Sequence, residues 1–245
     1  WRLAHAIDGI PWHAAPGELL ASVYPSMLAD SHAIGRCEAE ALRSLTHAIL
    51  LSGMAMAFAG VSSPASGGEH LISHYWDMGQ YAGGGHPFAL HGTQVGIACC
   101  LVEPLHHQVA TLPVGFLNID EAMAAWPDSK ETARERIRAR HARMPDDVRE
   151  GIVAEGLKKW RPVDIQRARL EQIHSKWVEV SAQWRDALLP MGTVREALLN
   201  VGGSVLPAEI HMGLSNELSQ WMHVRDMRSR YTVLDFASEI GLTVN

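Results

Sequence analysis

Residues 62–78 read Ser-Ser-Pro-Ala-Ser-Gly-Gly-Glu-His-Leu-Ile-Ser-His-Tyr-Trp-Asp-Met, and residues 90–96 read Leu-His-Gly-Thr-Gln-Val-Gly. The small residues 62–68 deliver the chain into a helix that starts near Glu69. On it His70 and His74 stand four residues apart and so share a face. Gly83, Gly84 and Gly85 turn the chain back, and His91 opens the next helix. Three imidazoles from two helices can then converge on one point, which is how metal sites arise inside helix bundles; neutral imidazole suits Zn, Fe or Ni. With 14 His in 245 residues, chance alone supplies about one pair at this spacing. The residues by themselves therefore leave two readings open, a metal site and ordinary surface or hydrogen-bonded histidines.

Outward from this stretch, helical periodicity dominates. Leu19, Leu20, Val23, Met27 and Leu28 predict one helix over 17–30. A longer helix over 37–58 is apolar all round and is expected at the centre of the fold. Its apolar run, 48–59, is broken by Ser52 and Gly53 and too short to cross a bilayer. His91 to about 111 is again helical. Asn118 with Glu121 and Asp128 with Glu131 have the spacing of a cap and its partner. The charged residues 131–143 suit a solvated helix, and Pro145 a first helical position. Ile165, Ala168, Ile173, Trp177, Val180, Trp184 and Leu188 recur every three to four residues, predicting one long helix over 163–189 that Pro190 and Gly192 end. Short helices follow over 193–201, 216–228 and 233–240. No alternating apolar–polar run is bounded by turns, so the expected class is all-α, a multi-helix bundle.

Composition narrows the function classes. At 47% hydrophobic and 20% charged the chain can fill a core. A net charge of −6 argues against a nucleic-acid or anionic-membrane surface, and no membrane insertion is expected. Cys37, Cys99 and Cys100 make no even framework and read as reduced core residues of a cytoplasmic protein. No secretory signal is read at the start.

Pro-Ala-Ser-Gly-Gly-Glu-His-Leu-Ile-Ser-His, followed by Leu-His-Gly-Thr-Gln-Val-Gly, resembles the metal-binding region of the sn-glycerol-1-phosphate dehydrogenases. These belong to the superfamily of glycerol dehydrogenase, the iron-containing alcohol dehydrogenases and 3-dehydroquinate synthase. Residues 227–235, Met-Arg-Ser-Arg-Tyr-Thr-Val-Leu-Asp, resemble the family's C-terminal ending. Trp1-Arg2-Leu3-Ala4 resembles the segment just after the family's Gly-Phe-Gly-Asp stretch, whose Asp is a metal ligand. The resemblance implies that residues 1–245 are a helical metal- and substrate-binding C-terminal domain, lacking the N-terminal α/β domain that binds NAD or NADP. No strand–Gly-rich turn–helix unit is present to replace it.

The resemblance implies that His70 and His91 are metal ligands for Zn, with Ni and Fe as alternatives. It implies that His74 lies near substrate and nicotinamide as a catalytic proton carrier; a structural, hydrogen-bonded histidine is the plainer reading. Ser66, Gly67 and Glu69 mark a substrate-binding loop at a helix N-terminus, where backbone amides and hydroxyls suit an anion; a simple turn reads equally well. Glu69 can orient a ligand or simply favour the helix dipole. Ser63 stands where the family has Arg. Arg225, Arg228 and Arg230 suit a phosphate, a dimer partner or ordinary solvated salt bridges, and Asp8 is the nearest carboxylate, though nothing aligns it with the missing Asp. The implied reaction is reduction of dihydroxyacetone phosphate to glycerol 1-phosphate by a homo-oligomer. Another polyol dehydrogenase, a dehydroquinate synthase-like enzyme and a non-catalytic helical module are the alternatives. The chain alone is expected to be inactive.

Overall fold

The fold is known from a computed structural model, which describes residues 1–211 and 221–242. Among the described residues it is helical throughout, with no strand. The elements are α1 (Arg2–Asp8), α2 (Ala14–Ala21), α3 (Tyr24–Ala29), α4 (Ser31–Gly35), α5 (Ala39–Ala59), α6 (Gly68–Ala82), α7 (His91–Ala110), α8 (Ile119–Ala125), α9 (Lys130–Arg140), α10 (Asp146–Gly156), α11 (Val163–Ala187), α12 (Thr193–Asn200) and α13 (Val233–Glu239).

The core forms where α6, α7, α11 and α13 meet. Leu105 and Val109 of α7, Leu170 and Ile173 of α11, and Leu234 and Phe236 of α13 are all buried. Trp177 stacks on Phe236 with ring centroids 5.4 Å apart, and Phe116 tilts against it at 4.9 Å. The Trp177 indole N–H donates to Leu112 O, so burying this ring leaves no donor unmatched.

Charged groups tie distant segments together inside this core. Arg169 on α11 pairs with Asp8 at the end of α1 and with Glu239 at the end of α13. Arg161 reaches the same two carboxylates at 3.2 and 3.3 Å, and the Tyr231 hydroxyl donates to Glu239 at 2.8 Å. A second buried group joins Asp226 to Arg140 and to His141, whose other ring nitrogen meets the Tyr75 hydroxyl of α6 at 3.0 Å. Buried charges are tolerated here because each has an opposite partner.

Several elements differ from the sequence reading. The helix expected over 17–30 is two, α2 and α3, because Pro25 in the first turn of α3 has no N–H to continue α2. The first-turn cap of α9 is Ser129, not Asp128: its hydroxyl accepts the Thr132 N–H at 3.1 Å. Asn118 caps α8 as expected, accepting from Glu121 N. The expected helix over 216–228 lies partly outside the described residues, and 221–227 form a 3-10 helix. Ile165, assigned to the buried stripe of α11, is exposed.

The largest difference is α5. It is not central: its buried residues are Ala41, Ala48 and Ala55, a single stripe of small side chains seven residues apart that packs against α2. Leu42, Ile49, Leu50, Met54 and Phe58 are exposed. At 21 residues it is also long and apolar enough to cross a membrane by length and composition alone. Cys37 just before it is exposed as well, whereas Cys100 is buried and all three thiols are free.

Candidate metal centre

Helix α6 sorts its residues by face. Leu71, Ile72 and Trp76 are buried, while His70, His74 and Asp77, spaced by four and three, line the opposite face. Helix α7 packs alongside and starts with His91. The turn between them uses Gly84 at φ 74°, a left-handed conformation that glycine adopts at no steric cost. The three imidazoles come together as the sequence reading expected. Ring centroids are 5.0 Å apart for His74–His91, 5.3 Å for His70–His91 and 6.4 Å for His70–His74.

Each of the two expected metal ligands has its Nδ1 engaged. The His70 Nδ1 lies 2.9 Å from Glu69 Oε1, which also accepts the Gly67 N–H at 2.6 Å. Burial pushes the Glu69 carboxyl up, but the hydrogen bonds from His70 and Gly67 outweigh it and hold it below the usual carboxylate range. Glu69 is therefore an anion that fixes His70 with Nδ1 protonated, leaving Nε2 as the ring nitrogen open to a metal. The Gly67 amide, read from the sequence as part of an anion cradle, is spent on Glu69.

His91 is held by neutral groups. Its Nδ1 lies 2.9 Å from Ser73 Oγ, and the Ser73 hydroxyl points at Gln94 Oε1 at 3.4 Å. Gln94, fully buried, donates its amide to Asp77 Oδ1 at 2.8 Å and to Ala89 O at 2.9 Å. With the Ser73 hydroxyl turned to Gln94, His91 donates from Nδ1 and presents Nε2 outward. Gln94 thus connects a histidine on α7 to a carboxylate on α6. Among the described residues, His74, Asp77 and His91 are the groups whose ligand atoms all lie within 4.8 Å of one another.

His74 is exposed at the mouth of the group. Burial of its ring, then the neighbouring His91, His70 and Arg228, lower its pKa, with Asp77 opposing. It is neutral near pH 7 and can accept a proton.

The loop before α6 is gripped from the far end of the chain. Arg230 Nη1 donates to Ser66 O at 2.5 Å and to Ser66 Oγ at 2.8 Å, and its Nη2 donates to Ser62 Oγ at 2.5 Å. A guanidinium thus reaches the loop that carries Ser63. Arg225 lies 3.7 Å from Asp235. Asp8 is committed to Arg161 and Arg169, far from any ligand role. His106 stands in the wall of a cavity with Trp1, Val180 and Trp184, and its buried Nδ1 has no hydrogen-bond partner among the described residues. Asp77, Ser73 and Gln94 escaped the sequence reading. Asp77 follows His74 at i+3, so the face that picked out His70 and His74 contained it, but imidazole spacing alone directed the reading.

No family model and no solved structure matches the chain. Curated relatives do. A glycerol-1-phosphate dehydrogenase (NAD(P)+) of Halalkalibacterium halodurans is 36% identical over 110 residues, 45% of this chain and 27% of the relative. Proteins of the same name are 38% identical over 43% of the chain and 29% of the relative in Natronomonas pharaonis, and 29% identical over 64% and 42% in Bacillus velezensis. Over these residues the chain is similar to the C-terminal part of glycerol-1-phosphate dehydrogenases. The chain spans between about a quarter and two fifths of the length of these relatives.

Proposed function

We propose that this chain is the metal- and substrate-binding domain of an NAD(P)-dependent glycerol-1-phosphate dehydrogenase, interconverting dihydroxyacetone phosphate and glycerol 1-phosphate. The observation that carries the reading is the convergence of His70, His74 and His91 from two helices in a chain similar to this family. The donor chemistry fits a divalent cation: His70 and His91 each have Nδ1 engaged within the protein and Nε2 left over. When bound, zinc, with nickel and iron as alternatives, supplies Lewis-acid polarisation of the oxygen on the reacting carbon.

The remaining work falls to the chain's own side chains. Glu69 and Ser73 hold the two imidazoles at fixed angles, so little reorientation is needed on binding. Neutral His74 takes the secondary hydroxyl's proton on oxidation and returns it on reduction. Arg230 and Ser66 form the edge of the site toward the substrate phosphate, which a planar guanidinium suits. The reading includes an N-terminal nicotinamide-binding domain and cytoplasmic, homo-oligomeric assembly; the free thiols fit a reducing compartment. Ser63 in place of the family's Arg favours a second reading, an unphosphorylated polyol as substrate.

The test joins this chain to the N-terminal domain of the H. halodurans relative. The chimera is expected to oxidise NADPH or NADH with dihydroxyacetone phosphate and to lose that activity in its His91→Ala form, while the chain alone is inactive. A folded, nucleotide-binding chimera that turns over dihydroxyacetone but not its phosphate would replace the first reading by the second.

A further inference from the structure

We infer that the outward face of α5 is a twofold interface between two copies of this chain. The inference gives a surface to the homo-oligomeric assembly proposed above, on which it rests, and is separate from the reaction. Three observations carry it. The first is extent. Ile49, Leu50 and Phe58 are each 62% exposed, Met54 and, just past the helix, Val61 are 48% exposed, and Leu42 is 37% exposed. Their side chains present roughly 600 Å2 of apolar surface, the upper end for a monomer's largest patch and close to the about 800 Å2 that each partner of a standard interface covers.

The second is charge. From residue 44 to residue 68 there is no Asp, Glu, Lys or Arg. A partner with a charged face would have to bury those charges unpaired, whereas a second copy of the same face brings none. A bilayer would also take an uncharged helix, but crossing one would strip α5 from α2, against which its Ala41, Ala48 and Ala55 are buried.

The third is shape. At about 100° per residue, the direction opposite that alanine stripe falls on Leu50, Gly53 and Ala57. Gly53 and Ala57 are exposed, and a Cβ on Gly53 would meet nothing within 4 Å. An antiparallel mate related by a twofold axis beside Gly53 sets Leu50 of each copy over Ala57 of the other, and Gly53 lets the two backbones approach. Ile49 on one flank and Met54 and Phe58 on the other close the sides. Large over small in both directions is the self-complementarity that an isologous interface requires.

The experiment measures the mass of the whole 245-residue chain by sedimentation equilibrium at micromolar concentrations. A dimer is expected, weakened at least tenfold in Leu50→Glu and in Phe58→Glu, with helix content by circular dichroism unchanged. Val178→Glu, on α11 and 61% exposed, should leave the dimer intact. Cross-linking locates the axis. In a Cys37→Ser background, a short bis-maleimide should join two copies of Met54→Cys, which flank the axis, and not two of Leu42→Cys, which stand roughly 35 Å apart. A monomeric parent, a dimer untouched by Leu50→Glu, or equal cross-linking through position 42 each overturns the inference. So does flotation of the parent with phosphatidylcholine vesicles in place of dimerisation, which gives the face to a membrane. A chimera that stays monomeric while the chain alone dimerises gives it to the N-terminal domain, and overturns the inference too. None of these readouts uses turnover, so the dehydrogenase reading stands or falls separately.

Discussion

Arg230 donates to Ser62 and Ser66 from 168 and 164 positions away, so the segment before α13 holds the loop that leads into the histidine-bearing helix. Burial of its guanidinium lowers its pKa, and the Glu69 carboxylate opposes that shift. Both hydroxyls it meets can rotate away and leave nitrogen donors facing an incoming anion.

Replacing Arg230 by Met should therefore do two separable things. Loss of three charge-assisted hydrogen bonds to the loop should lower unfolding free energy by about 1–3 kcal/mol. Glycerol 1-phosphate should raise the melting temperature of the parent chain but not of the variant. Equal stabilisation of both would remove Arg230 from phosphate recognition.

Gly67 offers a way to disturb the site without unfolding it. A Cβ there would stand 2.7 Å from Glu69 Oε2, the movable end of a side chain. Gly67→Ala should push the carboxylate off His70 while changing stability by less than about 1 kcal/mol. If His70 is a ligand of the assembled enzyme, zinc affinity of the chimera should fall about tenfold. Undiminished affinity would show that Glu69 does not orient it.

Stability should fall on mild acidification. Burial, opposed by Glu69, depresses the His106 pKa to about 4, and burial with Arg140 depresses that of His223 to about 4. Free histidine titrates near 6.5, so the unfolded chain binds more protons between those values. The stability gained from keeping these rings neutral is complete above about pH 6.5 and is lost as pH falls toward 4. Urea midpoints measured from pH 7 to 4.5 should decline, and His106→Leu should flatten the curve. An unchanged slope would mean that His106 is solvated when the protein folds.

Below that window a second loss begins. Burial raises the Asp226 carboxyl, but hydrogen bonding to His141 and the positive Arg225 and Arg140 outweigh it and leave it far below the usual range. Its contribution is present above about pH 4 and disappears as pH falls through the folded value. Asp226→Asn should cost about 3–5 kcal/mol at pH 7, the range for breaking a buried ion pair. A cost below about 1 kcal/mol would mean that the pair is solvated.

What the sequence made readable follows from what local patterns encode. The convergence of His70, His74 and His91 was legible because helix period and a Gly turn fix it nearly unaided. The long helix α11 was legible for the same reason, with Pro162 before it and Pro190 after. The exposure of α5 was not. Its apolar residues predict burial, but the stripe that meets α2 consists of Ala41, Ala48 and Ala55, so the larger residues face away. Apolarity says that a surface prefers to leave water, not which surface finds a partner. Gln94 was hidden for the opposite reason: a polar residue in a helix reads as solvated, and only the packing of α6 on α7 buries it.

The pairing of Asp8 with Arg161 and Arg169, and of both arginines with Glu239, also sets the order in which the molecule can be assembled. Asp8 and Arg161 are 153 positions apart, so their contact closes a loop of most of the chain. Loops of that length close slowly and gain nothing until both ends arrive. The α6–α7 hairpin, whose histidines are 21 residues apart or fewer, can form early by local collapse, with its imidazoles already adjacent. Zinc offered during refolding would then meet ligands before the scaffold around them is shut. A cation could act as a kinetic seed for the hairpin as well as a ligand of the finished fold.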